Sequence, residues 1–208
     1  MPGGTVIRIS YEQYPIEIAN VWFERGKNES DEVFKFVSYW ITFNQLYNYG
    51  ISETERESEV SRIRDYCRRH EAVLVDVIDF DAPYLKEFRT RPVLSGFNRV
   101  DRLDWRAGEK YITEKILETQ YHGKKREEPE IMKRCRQVAR RFTSLCNDRT
   151  NPEDRVNALF QTMYQVRCNL MHGAKNPTPE RDFCLISGAA QVLEDCLPVL
   201  IPETFRRR

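Results

Sequence analysis

The chain has 208 residues, 40% hydrophobic, 12% aromatic and 31% charged, with a formal net charge of +1. That balance supplies enough large apolar surface to offset chain entropy, which excludes disorder over most of the length, and it leaves only local charge clusters to attract nucleic acid. Uninterrupted apolar runs such as Val73-Leu74-Val75 span a few residues, far short of the roughly 20 that cross a bilayer, so no membrane partner is expected.

Hydrophobic periodicity predicts an all-α, up-and-down bundle of four to five core helices. The first runs over about 30–49, from Ser30 as N-cap with Asp31 and Glu32 behind it to Tyr49, where Gly50 can stop it. Its stripe is Val33, Val37, Trp40 and Tyr47 with Phe36 and Phe43 alongside, and Asn44 falls within it, where a polar group needs a partner. A second helix over about 52–80 follows Ser52, acidic first and basic last, with Val60, Ile63, Cys67 and His70 in series. Glu71 to Phe80 either extends it or starts another element.

Residues of about 81–128 lose the period among Pro83, Pro92, Gly96, Gly108 and Gly123, and read as an irregular insert with short helical turns. Pro129 opens a helix over about 129–146, with Ile131, Cys135, Val138, Phe142 and Leu145 on one face and Lys133, Arg134, Arg136, Arg140 and Arg141 on another. That basic face is either an ordinary solvated surface or a track for RNA phosphates. Asn151-Pro152-Glu153-Asp154 opens a helix over about 151–172, and Thr178-Pro179-Glu180 opens a last one over about 178–197, ending before Pro198. The turn-rich link between these two predicts an antiparallel hairpin.

No Gly/Ser/Pro-rich linker divides the chain, so residues 1–208 are expected to form one domain. Met1-Pro2-Gly3-Gly4-Thr5 lacks the basic-then-apolar organisation of a secretory signal. The six cysteines are scattered with no C-x-x-C, which argues against a zinc site and a disulfide framework. A reducing, cytoplasmic location is expected.

One segment carries a chemical suggestion: Arg167-Cys168-Asn169-Leu170-Met171-His172. At about 100° per residue from Met163, the apolar arc runs from about −60° at Val166 to about +80° at Met171, with Arg167 near +40°. A guanidinium inside that arc must snorkel along its stem or meet an acceptor. His172 lies about 140° further round, in the last turn, where the carbonyl ends favour an imidazolium. Such a pair suits a phosphodiester, or equally an internal salt bridge and a helix cap. Spacing alone does not choose.

The run Tyr164-Gln165-Val166-Arg167-Cys168-Asn169-Leu170-Met171-His172-Gly173, followed by Lys175 and Arg181-Asp182, resembles the signature of the HEPN superfamily, particularly its Apea-like branch. That signature is Arg, four to six residues, then His at a helix end. Tyr39-Trp40-Ile41-Thr42-Phe43-Asn44-Gln45-Leu46-Tyr47 is similar to the aromatic first helix of that branch, including its Asn44. The similar segments cover residues of about 30–49 and 155–197.

The resemblance implies a HEPN-like bundle and metal-independent, cofactor-free RNA cleavage by a homodimer whose motifs face each other, in defence or toxin-antitoxin systems with a protein antitoxin or regulator as partner. Arg167 would hold the phosphate, and His172 would serve as general acid or base. Asn169 would orient His172 or contact a phosphate, with Cys168, Asn44 and Lys175 as supporting residues. Two departures stand out. Cys168 occupies a place that is often polar, and Ala174 stands where many members carry the Tyr modified by an antitoxin. The alternatives are a non-catalytic HEPN module binding nucleotide, RNA or protein, and a helical scaffold.

Overall fold

The computed structural model describes residues 14–51, 57–90, 92–93, 130–172 and 180–206. The described residues are helical throughout their regular structure, and the protein is an all-α bundle. Its α-helices are α1 (Tyr14–Lys27), α2 (Glu32–Asn48), α3 (Glu59–Arg69), α4 (Glu71–Val77), α5 (Lys86–Thr90), α6 (Glu130–Cys146), α7 (Pro152–Met171) and α8 (Glu180–Arg206), with a 3-10 turn at Pro83–Leu85 ahead of α5.

Helix α1 has no counterpart among the sequence expectations. Its inward positions are Ala19, Phe23 and Gly26, a stripe diluted by small residues and masked by Val21, which is exposed. Helix α2 starts one residue later than Ser30 predicts. Asp31 is the cap, and its Oδ1 accepts from the amides of Val33 at 2.8 Å and Phe34 at 3.1 Å, so a carboxylate both satisfies free amides and sits at the positive helix end. Gly50, at φ 76°, takes the left-handed position after Tyr49.

Over its described part the span 52–80 is a bent pair of helices, so of the two expectations for Glu71 to Phe80 the new element is the one found. His70 leaves helical geometry at φ −115° and ψ 17°, yet its N–H still reaches the Tyr66 and Cys67 carbonyls and its own carbonyl accepts from Leu74. The bend keeps Ile63, Tyr66 and Cys67 of α3 and Leu74 of α4 on one core and lays the buried His70 ring against Tyr66, 4.5 Å between centroids. The stretch after it opens as short helical turns, as its proline spacing suggests, and buries Leu85, Phe88 and Val93. Residues 94–128 of the expected insert lie outside the described residues.

Helices α6 and α7 match their expected spans, and Asn151 caps α7 by accepting from the Glu153 amide at 3.2 Å. Helix α8 overturns its expected end: it continues through Pro198 and Pro202 to Arg206. An interior proline costs about 3 kcal/mol, but Leu200 and Ile201 are buried beyond the first proline and Phe205 packs on Tyr49 at 4.6 Å. Thr204 adds two polar ties, accepting from the Tyr66 hydroxyl at 2.6 Å and donating to the Leu200 carbonyl at 2.7 Å. By length and composition the Asp182–Phe205 segment could cross a membrane, but 61% of its apolar window is buried inside the bundle, so burial against α2 accounts for its character.

The long helices are arranged around α2. Ser187 of α8 donates to Glu32 at the start of α2 at 3.1 Å, and Phe205 meets Tyr49 at its end, so α2 and α8 run parallel. Helix α1 runs antiparallel on another side, with Thr42 donating to the Ala19 carbonyl at 3.2 Å and Phe23 against Tyr39. Helix α7 meets α2 through rings, Phe43 on Phe160 at 5.0 Å and Trp40 on Tyr164 at 6.3 Å. The expected α7–α8 hairpin is reduced to its connected ends, where Val166, Asn169 and Leu170 line one small cavity with Asp182, Leu185 and Ile186.

Gly188 marks the tightest approach of α8 to a neighbour, because a Cβ there would collide with the backbone carbonyl oxygen of Tyr84 in the 3-10 turn. Alanine gains about 1 kcal/mol of helix propensity over glycine, whereas overpacking against an element that cannot yield costs about 1–3 kcal/mol. Gly188→Ala is therefore expected to lose about 1 kcal/mol, seen as a lower urea midpoint at constant m-value. A midpoint at or above that of the parent protein would show that the turn moves aside freely.

Candidate functional site

Helix α7 delivers both motif residues from its last two turns. Val166, Met163 and Phe160 fix its inward face, and this rotation brings Arg167 to the boundary of the core. The guanidinium meets an acceptor, as its position in the apolar arc requires: Nη1 lies 3.7 Å from Oε2 of Glu59 on α3, with both side chains about one quarter exposed. The other carboxylate oxygen, Oε1, accepts from the Tyr47 hydroxyl at 2.5 Å. Tyr47 belongs to α2, so three helices converge here.

The electrostatics follow from that convergence. Burial pushes the Tyr47 phenol up, and the hydrogen bond and negative charge of Glu59 push it further, so it remains a donor. Burial pulls the Arg167 guanidinium down, but Glu59, Cys168 and Tyr47 together outweigh it and its net shift is upward. Tyr164, one turn earlier on α7, is pushed up by burial, then by Cys168 and Glu59. The Cys168 thiol lies 4.0 Å from Arg167 Nη1. Arg167, Cys168, Tyr164, Tyr47 and Glu59 thus form one cluster.

His172 stands apart from it. It is the exposed C-cap residue of α7, and its N–H donates to the Cys168 carbonyl at 3.0 Å. Helix geometry places its backbone about 7.5 Å further along the axis and about 140° round from that of Arg167.

The supporting residues divide. Asn169 is buried, accepts from Gln165 Nε2 at 2.9 Å, and faces α8 beside Val166 and Leu185. Asn44 finds its partner within α2, where the Asn48 amide donates to the Asn44 carbonyl at 2.9 Å and to its side-chain oxygen. Lys175 lies outside the described residues. On α6 the backbone at Lys133, Arg134 and Arg136 is helical, while their side chains lie outside the description. Arg140 is exposed. Arg141 is turned inward: its Nη1 donates to the Gln161 carbonyl of α7 at 3.1 Å and its Nε to the Gln137 carbonyl at 3.3 Å, and burial lowers its pKa. Among the described residues no three His, Cys, Asp or Glu side chains converge as metal ligands.

Sequence reasoning missed Glu59 and the second role of Tyr47. Glu59 reads as a first-turn acid suited to the helix dipole, and Tyr47 as core. The only available signal was the need of Arg167 for an acceptor. No family model matches the chain, and neither a curated protein nor a solved structure matches it.

The two neighbouring arginines of α6 separate by role. Arg140→Ala is expected to stay within about 0.5 kcal/mol of the parent, as exposed substitutions do. Arg141→Ala removes a half-buried side chain and leaves the Gln161 carbonyl without this donor, at a cost of about 1–3 kcal/mol. Equal urea midpoints for the two variants would contradict the inward role of Arg141.

Proposed function

We propose that the protein is a HEPN-type, metal-independent endoribonuclease that acts in the cytoplasm as a homodimer, within a defence or toxin-antitoxin system and under a protein antitoxin or regulator. The observation that carries this reading is the exposed His172 at the end of the same helix whose preceding turn holds the partly exposed Arg167. Arg167 holds the scissile phosphate and offsets the charge that grows on it in the transition state. His172 takes the proton of the ribose 2′-hydroxyl or returns one to the leaving 5′-oxygen. The new bond joins the 2′-oxygen to phosphorus as the 5′-oxygen bond breaks, leaving a cyclic phosphate and a 5′-hydroxyl. The offset of about 140° between the two residues on one helix favours a composite site, with the second motif supplied by the partner subunit. The exposed Arg140 and the basic positions Lys133, Arg134 and Arg136 supply a track for neighbouring phosphates.

The pairing of Arg167 with Glu59 favours a second reading, a non-catalytic HEPN module in which the arginine ties α7 to α3 and the bundle binds nucleotide, RNA or a protein partner. Cleavage of single-stranded RNA in the presence of a chelator separates the two. The enzyme reading expects His172→Ala and Arg167→Ala each to lower the rate by about 100-fold or more, as loss of a general acid-base or an oxyanion donor does. Folded variants as active as the parent would sink it.

RNA affinity gives an independent measurement. Replacing Lys133, Arg134, Arg136 and Arg140 by glutamine is expected to flatten the dependence of log affinity on log salt by about 0.7 for each lost phosphate contact. An unchanged slope would assign those residues to a solvated surface.

A further inference from the structure

Glu59 and Tyr47 lie outside the Arg-and-His motif, yet they decide how Arg167 is held. Tyr47 is fully buried on α2, packed at 5.1 Å against Phe43, so its hydroxyl is a fixed point. It claims Oε1 of Glu59, which leaves Oε2 turned to the guanidinium. At 3.7 Å that contact is too long for a bidentate clasp. It orients Arg167 without covering it. Arginine carries five N–H donors, and although the Arg167 Nε is itself buried, with no hydrogen bond among the described residues, a quarter of the side chain faces solvent.

A second cation acts at this point among the described residues. Arg62 stands one turn beyond Glu59 on α3, and its Nε likewise makes no hydrogen bond among the described residues. The positive charges of Arg167 and Arg62 both act on the Tyr47 phenol. Among the described residues two guanidiniums therefore act at the point that Glu59 and Tyr47 define, an arrangement that suits an anion.

We infer that Glu59 is a positioning residue for Arg167, with Tyr47 fixing Glu59 from behind, and that the N–H groups left uncovered form the oxyanion site for an RNA phosphodiester. This rests on the ribonuclease reading of Arg167 and His172. A guanidinium held on one side cannot rotate away as the phosphate arrives, and the orientation is set before reaction rather than during it.

The test joins cleavage kinetics to the nitrogen-15 NMR signal of the Arg167 Nε–H group, assigned with Arg167→Lys, in the full chain. Glu59→Gln keeps the shape and removes the charge. It is expected to lower kcat by about tenfold while KM stays within about threefold, because the loss is of orientation and not of binding. Its Arg167 signal should move even without RNA. Glu59→Asp should recover part of kcat, and Tyr47→Phe should fall between Glu59→Gln and the parent, which keeps the test usable if one variant folds poorly. The probe for the anion site is a 2′-O-methylated RNA, which binds but cannot cyclise, and it should shift the Arg167 signal of the parent protein. A folded Glu59→Gln protein with parental kcat, or an Arg167 signal indifferent to that substitution, overturns the positioning role. Absence of cleavage together with an Arg167 signal blind to the methylated RNA overturns the ribonuclease reading and the phosphate site with it. A signal that still responds to Glu59→Gln would then mark the pair as a structural tie, so the two failures are told apart.

Discussion

The ring of Phe43 is the point on which the bundle turns. It meets Trp40 at 5.5 Å, Tyr47 at 5.1 Å, Tyr66 at 5.6 Å and Phe160 at 5.0 Å, which links α2 to both α3 and α7. Three of these contacts are edge-on, the arrangement the ring quadrupoles favour, each adding about 0.5–1.5 kcal/mol beyond simple burial. Rings of this size hold α2 and α7 apart at a distance set by side chains rather than by backbone. The spacing then determines what the periphery can contain. Tyr47 is at once an edge partner of Phe43 and the donor to Glu59, and Tyr164 is at once a partner of Trp40 and a neighbour of Cys168. The charged cluster is the polar rim of an aromatic layer, and its geometry is inherited from that layer.

Helix positions were legible in the sequence where apolar spacing and capping chemistry agreed. Asn151-Pro152 with two acids behind it located α7 to within a residue, and Gly50 located the end of α2. The failures have separate physical causes. Helix α1 buries Ala19 and Gly26, residues that carry little hydrophobic signal, and so its face is invisible to a search for large apolar groups. The extension of α8 past Pro198 depends on Leu200, Ile201 and Phe205 finding partners on other helices, a tertiary gain that outweighs a strong local penalty. The bend at His70 settles a point the sequence left open, since nothing local chooses between an extended α3 and a new helix, whereas the shared core of α3 and α4 does.

The candidate site was legible in one dimension only. Periodicity placed Arg167 against the core and His172 away from it, and the buried charge announced that an acceptor must exist. It could not name Glu59, because that partner comes from a helix more than one hundred positions earlier and no pattern along the chain connects them. Arg141 shows the same limit in reverse. Its neighbours in sequence make it one cation of a basic face, while its contacts make it a donor to the backbone of α7. Adjacent residues of one type thus answer to different constraints, one electrostatic and one structural.

The parallel course of α2 and α8 bears on how the chain folds. Two parallel helices cannot be joined by a tight turn, and here the Ser187–Glu32 contact spans 155 positions. Helical proteins usually fold quickly because their contacts are local, but the rate falls as contacts between distant residues take a larger share. Helices α1 and α2 are near neighbours along the chain and can pair early. The flank of α2 that receives α8 stays uncovered until the last helix docks, so an apolar surface is offered to water, and to other chains, for the whole interval before that step.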